Sequence, residues 1–445
     1  MWVQIISDFQ KAKAALRRTT FDFGDVPSEV KQRIKETFLE ELTPEEAVSR
    51  IIAAVRDNGD AALVEYTRLI DGIALKSLEV SDEERRNADG KVDKELITAL
   101  NTAAEQVRSF HQAQLRHSHK EFMEGGVGQI VRPLERVGIY IPGGTASYPS
   151  TVLMTAIPAR VAGVGEIILT TPPKEGGEVP PATLVAADIA GVDRIFKVGG
   201  AQGIAALAYG TRSIPKVDKV CGPGGLFVTM AKRMVFGAVA IDSLAGPTET
   251  IILADDFASK THCAADLIAQ AEHDVLASAI LITTSSRMAQ EVDREVARQI
   301  EGLERARVTL RSLEERGLII VVTDIQQAID LVNSYAPEHL SLMVRDAPSY
   351  IEKIHHAGAI FVGENSTEVL GDYVAGPSHV MPTMGSARFS SPLGVGDFLK
   401  ITSVVSLSDE DVEALGPAAM KIATAEGLTA HARAMALRLK KGRAQ

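Results

Sequence analysis

A run of alternating segments between residues 138 and 200 decides the fold class. It reads GIYIPGG (138–144), TVLMTAIPARVAGV (151–164), EIILTTPP (166–173), TLVAADIAGV (183–192) and RIFKVGG (194–200). Short β-branched runs bounded by Gly or Pro predict strands, and the Ala-rich runs between them predict helices. This alternation is typical of βαβ units, so we predict a parallel sheet.

A second alternating run lies further along the chain. Its segments are TIILADD (250–256), ADLIAQAEHD (265–274), SAILITTSS (278–286), LIIVVTD (318–324) and AGAIFVG (357–363). The same strand and helix signals recur, which predicts a second, similar α/β layer.

The flanking regions favour helices. Residues 28–120 are rich in charged, helix-forming sequence, and Thr43, Pro44 and Glu46 resemble an N-cap followed by a helix start. The segment from about 391 to 445 is mostly helical in pattern and has an amphipathic end. That end suggests a tail docked on another surface.

Composition narrows the classes of function. The chain has 445 residues, which exceeds one ordinary core, and a formal charge of −11, which argues against nucleic acid or a membrane surface as a general partner. We find no signal-peptide pattern at the start and no apolar run of membrane-spanning length. A small-molecule substrate fits this charge better. Only Cys221 and Cys263 are present, too few for a disulfide framework, which indicates a reduced, cytoplasmic protein.

Three glycine-rich loops follow predicted strands. They are IPGG (141–144), VGGAQG (198–203) and CGPGG (221–225). Backbone amides at such positions can approach a phosphate-bearing cofactor. None of the loops matches the G-x-G-x-x-G dinucleotide pattern, so the sequence allows nucleotide binding without an ordinary Rossmann loop.

Two polar pairs are candidates for chemistry. Gln270 and His273 lie three residues apart on a predicted helix, where both side chains can reach one metal ion, although a solvated surface pair is the more common explanation. Glu338 and His339 follow Pro337 and can supply a carboxylate that activates water and a histidine that takes a proton. A capping Glu beside a partly buried His is the simpler alternative.

Two further pairs lie towards the C-terminus. Asp372 offers an oxygen ligand of a type that zinc accepts, and His379 is close to it in sequence. Glu426 and His431 are five residues apart, so on a regular helix they face different directions. A shared site would need a break in that helix, and an exposed terminal helix is the alternative.

Eight motifs in a common order resemble histidinol dehydrogenase over nearly the whole chain. They are RPLERVGIYIPGGTASYPSTVLMTAIPARVAGV (132–164), KVGGAQGIAALAYGT (197–211), CGPGG (221–225), AGPTE (245–249), LIAQAEHD (267–274), NSYAPEHL (333–340), GDYVAGPSHVMPT (371–383) and EGLTAHA (426–432).

The resemblance implies a role for each candidate residue. It implies one zinc ion per subunit, with four ligands: Gln270, His273, Asp372 and His431. Glu338 and His339 would supply acid–base catalysis, and the NAD site would include Tyr140, Gln202 and Gly225. The implied substrate site contains Thr248, Gln270, His273, His339, Asp372, His379, Glu426 and His431.

Three residues depart from the family pattern. Gly225 stands where the family has Asn, Thr248 where it has Ser, and Ser378 where it has Asn. Thr248 keeps the hydroxyl group. Gly225 removes an amide that would bind the cofactor, so the NAD contacts are the part of the resemblance that this sequence changes most.

We therefore expect an α/β protein with two Rossmann-like domains that lack the usual GxGxxG loop, a helical N-terminal region and a helical C-terminal tail. The expected limits are 1–28 for the N-terminal helical segment, 29–138 with 248–390 for the domain carrying the metal and acid–base residues, 139–247 for the NAD domain, and 391–445 for a dimerisation tail.

The family resemblance implies oxidation of L-histidinol to L-histidine with two NAD in a cytoplasmic homodimer that shares its metal sites. One alternative is a related zinc and NAD enzyme that oxidises another polar primary alcohol, such as a sulfopropanediol. A zinc hydrolase and a non-catalytic metabolite-binding protein are two others, and manganese or cobalt can also occupy such a metal site.

Overall fold

A computed structural model describes residues 3–18, 26, 28–118, 120–143 and 147–441, without the side chains of the last two. Gly144 of the IPGG loop lies outside the described residues. The chain divides into two compact units, one of residues 1–116 and 134–398 and the other of residues 117–133 and 399–445.

The helices and strands alternate through most of the chain. The helices are α1 (Phe9–Ala15), α2 (Ser28–Phe38), α3 (Pro44–Asn58), α4 (Asp60–Tyr66), α5 (Asp82–Arg86), α6 (Lys94–His117), α7 (Pro149–Ala162), α8 (Pro181–Ala190), α9 (Gly200–Tyr209), α10 (Leu226–Val235), α11 (Lys260–Ala271), α12 (Ser286–Ile300), α13 (Ala306–Arg316), α14 (Ile325–Tyr335), α15 (Glu368–Tyr373), α16 (Asp409–Ala425) and α17 (Thr429–Lys441). The strands are β1 (Gln4–Ile6), β2 (Phe122–Glu124), β3 (Val127–Pro133), β4 (Arg136–Tyr140), β5 (Glu166–Thr170), β6 (Arg194–Phe196), β7 (Lys219–Cys221), β8 (Ala240–Ile241), β9 (Glu249–Ala254), β10 (Ser278–Thr283), β11 (Leu318–Val321), β12 (His339–Met343), β13 (Ala359–Val362) and β14 (Leu399–Val405).

The first unit contains two parallel sheets, which confirms the predicted α/β class. The six-stranded sheet has the order β1-β11-β10-β9-β12-β13, and the five-stranded sheet has the order β6-β5-β4-β7-β8. The central strands are apolar runs that are buried on both faces, as parallel sheets covered by helices require.

The N-terminal helices pack on the five-stranded sheet. Val48 and Ile51 of α3 and Leu63 of α4 share one core with Ile204 of α9 and Val228 of α10. The Thr43 hydroxyl accepts a hydrogen bond from the Glu46 amide, and the Glu46 carboxylate accepts one from the Thr43 amide. The predicted N-cap is therefore confirmed.

Three segments make contacts that the sequence patterns did not predict. Strand β1, within the segment 1–28, pairs with β11 because its apolar residues extend the edge of the six-stranded sheet. Helices α3 and α4, expected in the domain formed by 29–138 and 248–390, bury their apolar faces against the other sheet. The segment 391–445 contains strand β14 as well as helices, because residues 399–405 complete the backbone pairing of β3.

The second unit is small and mainly built from the C-terminal segment. Its antiparallel sheet has the order β14-β3-β2, and helices α16 and α17 pack on each other. Helix α16 begins at a capping box formed by Ser408 and Asp411. Among the helices that the structure describes, none is long and apolar enough to cross a membrane.

Candidate active site

The predicted acid–base pair lies where helix α14 turns into strand β12. The helix ends at Tyr335, and Ala336 adopts a left-handed backbone conformation with φ of +54°. Glu338 and His339 follow, and His339 is the first residue of β12. Because β12 lies between β9 and β13, both side chains are buried.

The main chain at the start of β9 holds this pair. Glu338 Oε2 accepts hydrogen bonds from the Thr248 hydroxyl at 2.6 Å and from the Glu249 amide at 3.0 Å. His339 Nδ1 lies 3.1 Å from the Glu249 carbonyl oxygen and 3.6 Å from Glu338 Oε2. A ring nitrogen that faces a carbonyl oxygen must carry the proton, so Nε2 is the acceptor in the neutral imidazole.

His339 Nε2 is a buried atom without a hydrogen-bond partner among the described residues. Asp372 Oδ1 lies 3.5 Å away, at the outer limit of hydrogen-bonding distance. The imidazole stacks on Phe361, with ring centroids 6.0 Å apart. A buried acceptor of this kind is suited to receive a proton from a bound hydroxyl group.

Burial and charge shift the acidity of both groups. Burial raises the pKa of Glu338 to about 7. The charge of His339, and the hydrogen bonds that Glu338 accepts, act in the opposite direction. Burial alone lowers the pKa of His339, but the carboxyl groups of Glu338, Glu368 and Asp372 outweigh it and raise the pKa to about 10. Glu338 therefore titrates near neutral pH, and the raised pKa of His339 makes its neutral imidazole a strong base.

Three predicted metal ligands lie around this pair. Gln270 is near the end of α11 and buried, and His273 follows two residues after that helix ends. Asp372 is on α15, and its charge acts on His273. The structure thus brings Gln270, His273 and Asp372 close to the acid–base pair.

The chemistry of these three residues fits a zinc ion. The Gln270 amide nitrogen donates to the Thr248 hydroxyl at 2.8 Å, which leaves the amide oxygen as the available donor atom. Desolvation lowers the pKa of His273, which favours its neutral imidazole. Although burial opposes ionisation, contacts with His339 and two other histidines lower the pKa of Asp372, so its carboxylate is charged. A neutral imidazole and a carboxylate are ordinary zinc ligands.

The two remaining C-terminal candidates belong to the second unit. Helix α16 ends at Ala425, Gly427 adopts a φ of +75°, and α17 begins at Thr429. The helix break that a shared site requires is therefore present between Glu426 and His431, and both residues are exposed. Among the described residues, no three His, Cys, Asp or Glu side chains form a cluster that could hold a metal ion.

His379 already has protein partners at both ring nitrogens. Nδ1 lies 2.7 Å from the main-chain oxygen of Asp372, and Nε2 lies 3.1 Å from the Thr151 hydroxyl. Burial lowers its pKa, which favours the neutral ring. The adjacent Ser378 hydroxyl donates to the Met154 carbonyl oxygen at 3.0 Å, so this substitution is absorbed by a main-chain contact.

A buried carboxyl group that sequence reasoning missed lies behind His339. Glu368 is four residues before Asp372 on α15, and it accepts hydrogen bonds from the hydroxyl groups of Thr250 and Ser341. Burial raises its pKa to about 7. Its helical spacing from Asp372 is the one signal that could have indicated a second inward-facing carboxyl group.

A separate cleft lies beside the five-stranded sheet and contains the predicted cofactor residues. Tyr140 ends β4, and its hydroxyl oxygen accepts a hydrogen bond from the Gly200 amide at 3.2 Å. Both amide atoms of buried Gln202 and Oδ2 of Asp71 have no hydrogen-bond partner among the described residues. Such buried polar atoms can form hydrogen bonds with a polar ligand in the cleft. No sequence signal pointed to Asp71.

Two adjoining cavities form this cleft, with volumes of about 220 Å³ and about 680 Å³. Both are lined by Arg33, Ile70, Gly200 and Gly225. Gly200 is the first residue of α9, and Gly225 directly precedes α10. The amides at these helix starts can bind a phosphate group. The larger cavity adds Tyr140 and the smaller one adds Gln202, both predicted cofactor residues.

The α/β fold contains a buried acid–base pair, nearby residues of the types that bind metal ions, and a cleft at helix N-termini. Together these features are typical of a cofactor-dependent α/β enzyme. The family model for histidinol dehydrogenase matches residues 35–439. A histidinol dehydrogenase from Dehalococcoides mccartyi is 54% identical over 89% of this chain and 91% of its own length. Another, from Deinococcus radiodurans, is 51% identical over 97% of this chain and 98% of its own length.

A solved structure agrees with these sequence matches. The crystal structure of histidinol dehydrogenase from Elizabethkingia anophelis has a TM-score of 0.90 and 35% identity, and the match covers 99% of each chain. The chain therefore belongs to the histidinol dehydrogenase family of NAD-dependent oxidoreductases.

Proposed function

We propose that this protein oxidises L-histidinol through L-histidinal to L-histidine, with one NAD consumed in each oxidation and one water added between them. The observation that carries the proposal is the orphaned His339 Nε2 beside Glu338, with Gln270, His273 and Asp372 around it. A small polar alcohol suits a site of this composition better than an extended polymer does.

His339 is the base of the first oxidation in this proposal. Its Nδ1 proton points at the Glu249 carbonyl oxygen, so Nε2 takes the proton of the substrate hydroxyl. The charges of Glu338, Glu368 and Asp372 stabilise the imidazolium that forms. NAD, when bound, supplies the hydride acceptor for each oxidation.

Glu338 is the base that activates water for the second oxidation. The Thr248 hydroxyl and the Glu249 amide hold its carboxyl group in one orientation, and its raised pKa makes it a stronger base than an exposed carboxylate. Hydration of the aldehyde gives the diol from which the acid forms. Since both steps use one buried site, the aldehyde is kept from solution.

Gln270, His273 and Asp372 would hold one zinc ion, completed by His431 of the partner subunit in a homodimer. The zinc ion, when bound, supplies a template and Lewis acid for the amino alcohol. The exposure of His431 and Glu426 in the second unit supports this arrangement, because neither has a buried role in its own chain. The homodimer is proposed to act in the cytoplasm.

The cleft with Tyr140, Gln202 and Gly225 is the proposed NAD site. Its support is the pair of unsatisfied Gln202 amide atoms together with the unsatisfied Asp71 oxygen. Helix starts at α9 and α10 suit the cofactor's phosphates, and a carboxylate such as Asp71 suits ribose hydroxyl groups.

An absorbance assay for NADH tests the proposed reaction directly. We expect two NADH per L-histidinol, loss of activity with a chelator and recovery on adding zinc. Dihydroxypropanesulfonate is the comparison substrate, because specificity is a ratio of kcat/KM values. A higher kcat/KM for the sulfonate, or no NADH with either alcohol, would contradict the proposal.

A further inference from the structure

Arg18 lies outside the family match at 35–439 and contacts a carboxylate, two carbonyl oxygens and an aromatic ring. Its Nη1 and Nη2 bind the two carboxylate oxygens of Glu249 at 2.5 and 2.6 Å. Its Nε donates to the Tyr335 carbonyl oxygen at 2.8 Å, and Nη2 lies 3.4 Å from that of Ala336. The guanidinium group also stacks 3.9 Å above the Tyr335 ring centroid.

These partners are the two supports of the acid–base pair. Glu249 contacts Glu338 through its amide and His339 through its carbonyl oxygen. Tyr335 and Ala336 end the helix directly before the turn that carries the pair. Arg18 therefore joins the strand that holds the pair to the turn that presents it.

We propose that Arg18 is a positioning residue for Glu338 and His339, and that it acts through the Glu249 carboxylate and the carbonyl groups at the end of α14. The inference rests on the proposed function, which makes Glu338 and His339 the catalytic bases. It adds a contribution from the N-terminal segment, which precedes the part of the chain shared with the family model.

The chemistry of the contact favours positioning over simple attachment. The Glu249 side chain is only about 6% exposed, and a second hydrogen bond reaches it from the Met384 amide at 3.1 Å. Replacing Arg18 with an uncharged residue would leave the Glu249 carboxylate buried and unpaired, on the residue whose main chain contacts both bases. This would disturb the local geometry as well as lower the stability. The helix-end carbonyl groups have no helical partner and are natural acceptors for an arginine. Only a planar guanidinium group can bind the Glu249 carboxylate and these carbonyl groups at once.

The test compares Arg18→Met and Arg18→Lys with wild type in the zinc-loaded enzyme. We expect Arg18→Met to lower kcat by about 10- to 100-fold while KM for L-histidinol changes less than about threefold, because misplaced bases affect the chemical step. Arg18→Lys keeps the charge but loses the two-pronged guanidinium contact, so its kcat should lie between those of wild type and Arg18→Met. This milder variant keeps the test usable if Arg18→Met folds poorly.

Arg194→Met is the matched control. Arg194 binds both oxygens of Glu79 at 2.7 Å, donates to the Ser213 carbonyl oxygen at 3.1 Å and lies 4.9 Å from the Phe196 ring centroid. It thus makes the same kinds of contact in the five-stranded sheet, away from the bases. We expect this variant to lose less thermal stability, because the Glu79 side chain is about 39% exposed, and to keep kcat within about twofold.

The double variant Arg18→Met with Glu249→Gln decides whether Arg18 acts through Glu249. Removing both charges relieves the buried anion, so kcat should recover at least about threefold relative to Arg18→Met alone. Losses that multiply, or equal kcat losses in Arg18→Met and Arg194→Met, would overturn the proposal.

Amide hydrogen exchange separates this proposal from the proposed reaction. Exchange in the peptide that spans Tyr335 to Leu340 should rise in Arg18→Met and stay at the wild-type rate in Arg194→Met. That measurement needs no turnover, so a wild-type protein that fails to oxidise L-histidinol would refute the reaction and leave the role of Arg18 testable. Unchanged exchange in Arg18→Met would refute the role of Arg18.

Discussion

At the residue scale, the main feature of the site is that carboxyl groups surround His339. His339 Nδ1 lies 3.6 Å from Glu338 Oε2, and Nε2 lies 3.5 Å from Asp372 Oδ1. Glu368 is also nearby and accepts hydrogen bonds from two hydroxyl groups. Burial disfavours several negative charges in so small a space, so the pKa values of Glu338 and Glu368 rise. The site is built to exchange protons near neutral pH.

The first prediction separates the two oxidations with Glu338→Gln. Glutamine keeps the shape and can still accept from Thr248, but it cannot take a proton from water. We expect oxidation of L-histidinal to fall by about 10²- to 10⁴-fold and oxidation of L-histidinol to fall less. Single-turnover kinetics with each substrate measure this. Equal losses in both steps, or loss of bound zinc, would argue against the assigned role.

The second prediction concerns pH and Asp71. Burial raises the pKa of Asp71 to about 6, so its carboxylate is ionised at pH 8 and largely protonated at pH 5. If it accepts hydrogen bonds from NAD, the benefit is present above about pH 6 and lost as the pH falls through that value. We expect Asp71→Asn to weaken NADH binding about tenfold at pH 8 and little at pH 5.

Fluorescence titration of NADH measures this pH dependence. Glu175→Gln is a suitable control, because Glu175 lines the same cavity but is exposed. We expect its NADH affinity to stay within about twofold of wild type. A constant ratio between wild type and Asp71→Asn across this pH range would remove Asp71 from the cofactor site.

At the element scale, the connection between β7 and α10 has a rigid frame. Lys232 and Asp242 form a buried ion pair, and both bind the main chain of Gly222. Gly222 has a φ of +112°, and a Cβ there would lie 2.2 Å from the Tyr140 carbonyl oxygen. The loop therefore requires glycine at this position and holds the following residues beside the cofactor cleft.

The third prediction uses Gly225, at the end of the same loop. Its φ is −69° and nothing lies within 4 Å of a Cβ placed there, so asparagine fits without strain. If NAD binds in this cleft, the Asn amide can add a hydrogen bond to it that glycine cannot make. We expect Gly225→Asn to tighten NADH binding by about three- to tenfold, measured by calorimetry.

Gly90→Asn provides the control for this substitution. A Cβ placed on Gly90 also meets nothing within 4 Å, and Gly90 is not among the residues that line either cavity. Its NADH affinity should match wild type. Weaker binding in Gly225→Asn would show that the cofactor approaches this loop more closely than an asparagine allows.

At the scale of the whole molecule, the site is assembled from distant parts of the chain. Thr248, Gln270, Glu338 and Asp372 come from different elements around one sheet, and Arg18 reaches Glu249 across 231 residues. Glu426 and His431 belong to the second unit, where they are exposed. A homodimer in which this unit serves the partner subunit accounts for their exposure.

The fourth prediction tests that composite site by complementation. In the proposed homodimer, a His431→Ala subunit would lack the ligand that it gives to its partner, and a His339→Asn subunit would lack the base in its own site. Mixed heterodimers should contain one intact site and recover up to about half of the wild-type activity per dimer, although each parent is inactive. Verified heterodimers without activity would place His431 in its own chain's site or outside any site.

The amino-acid sequence alone determined the features that depend on neighbours along the chain. The parallel α/β class followed from alternating strand and helix patterns, and the Thr43 capping box followed from spacing, because periodicity and capping are local effects. The adjacency of Glu338 and His339 was equally visible. Strands β1 and β14 were not, because each forms only by pairing with a strand far away in sequence.

Only the tertiary structure decided which atoms of these residues can do chemistry. It paired His339 Nδ1 with the Glu249 carbonyl oxygen and left Nε2 without a hydrogen-bond partner among the described residues. It buried Glu338 enough to raise its pKa. It also brought Arg18 against Glu249. Burial, charge pairing and tautomer choice arise from contacts between residues distant in sequence, so no local pattern can encode them separately from the fold.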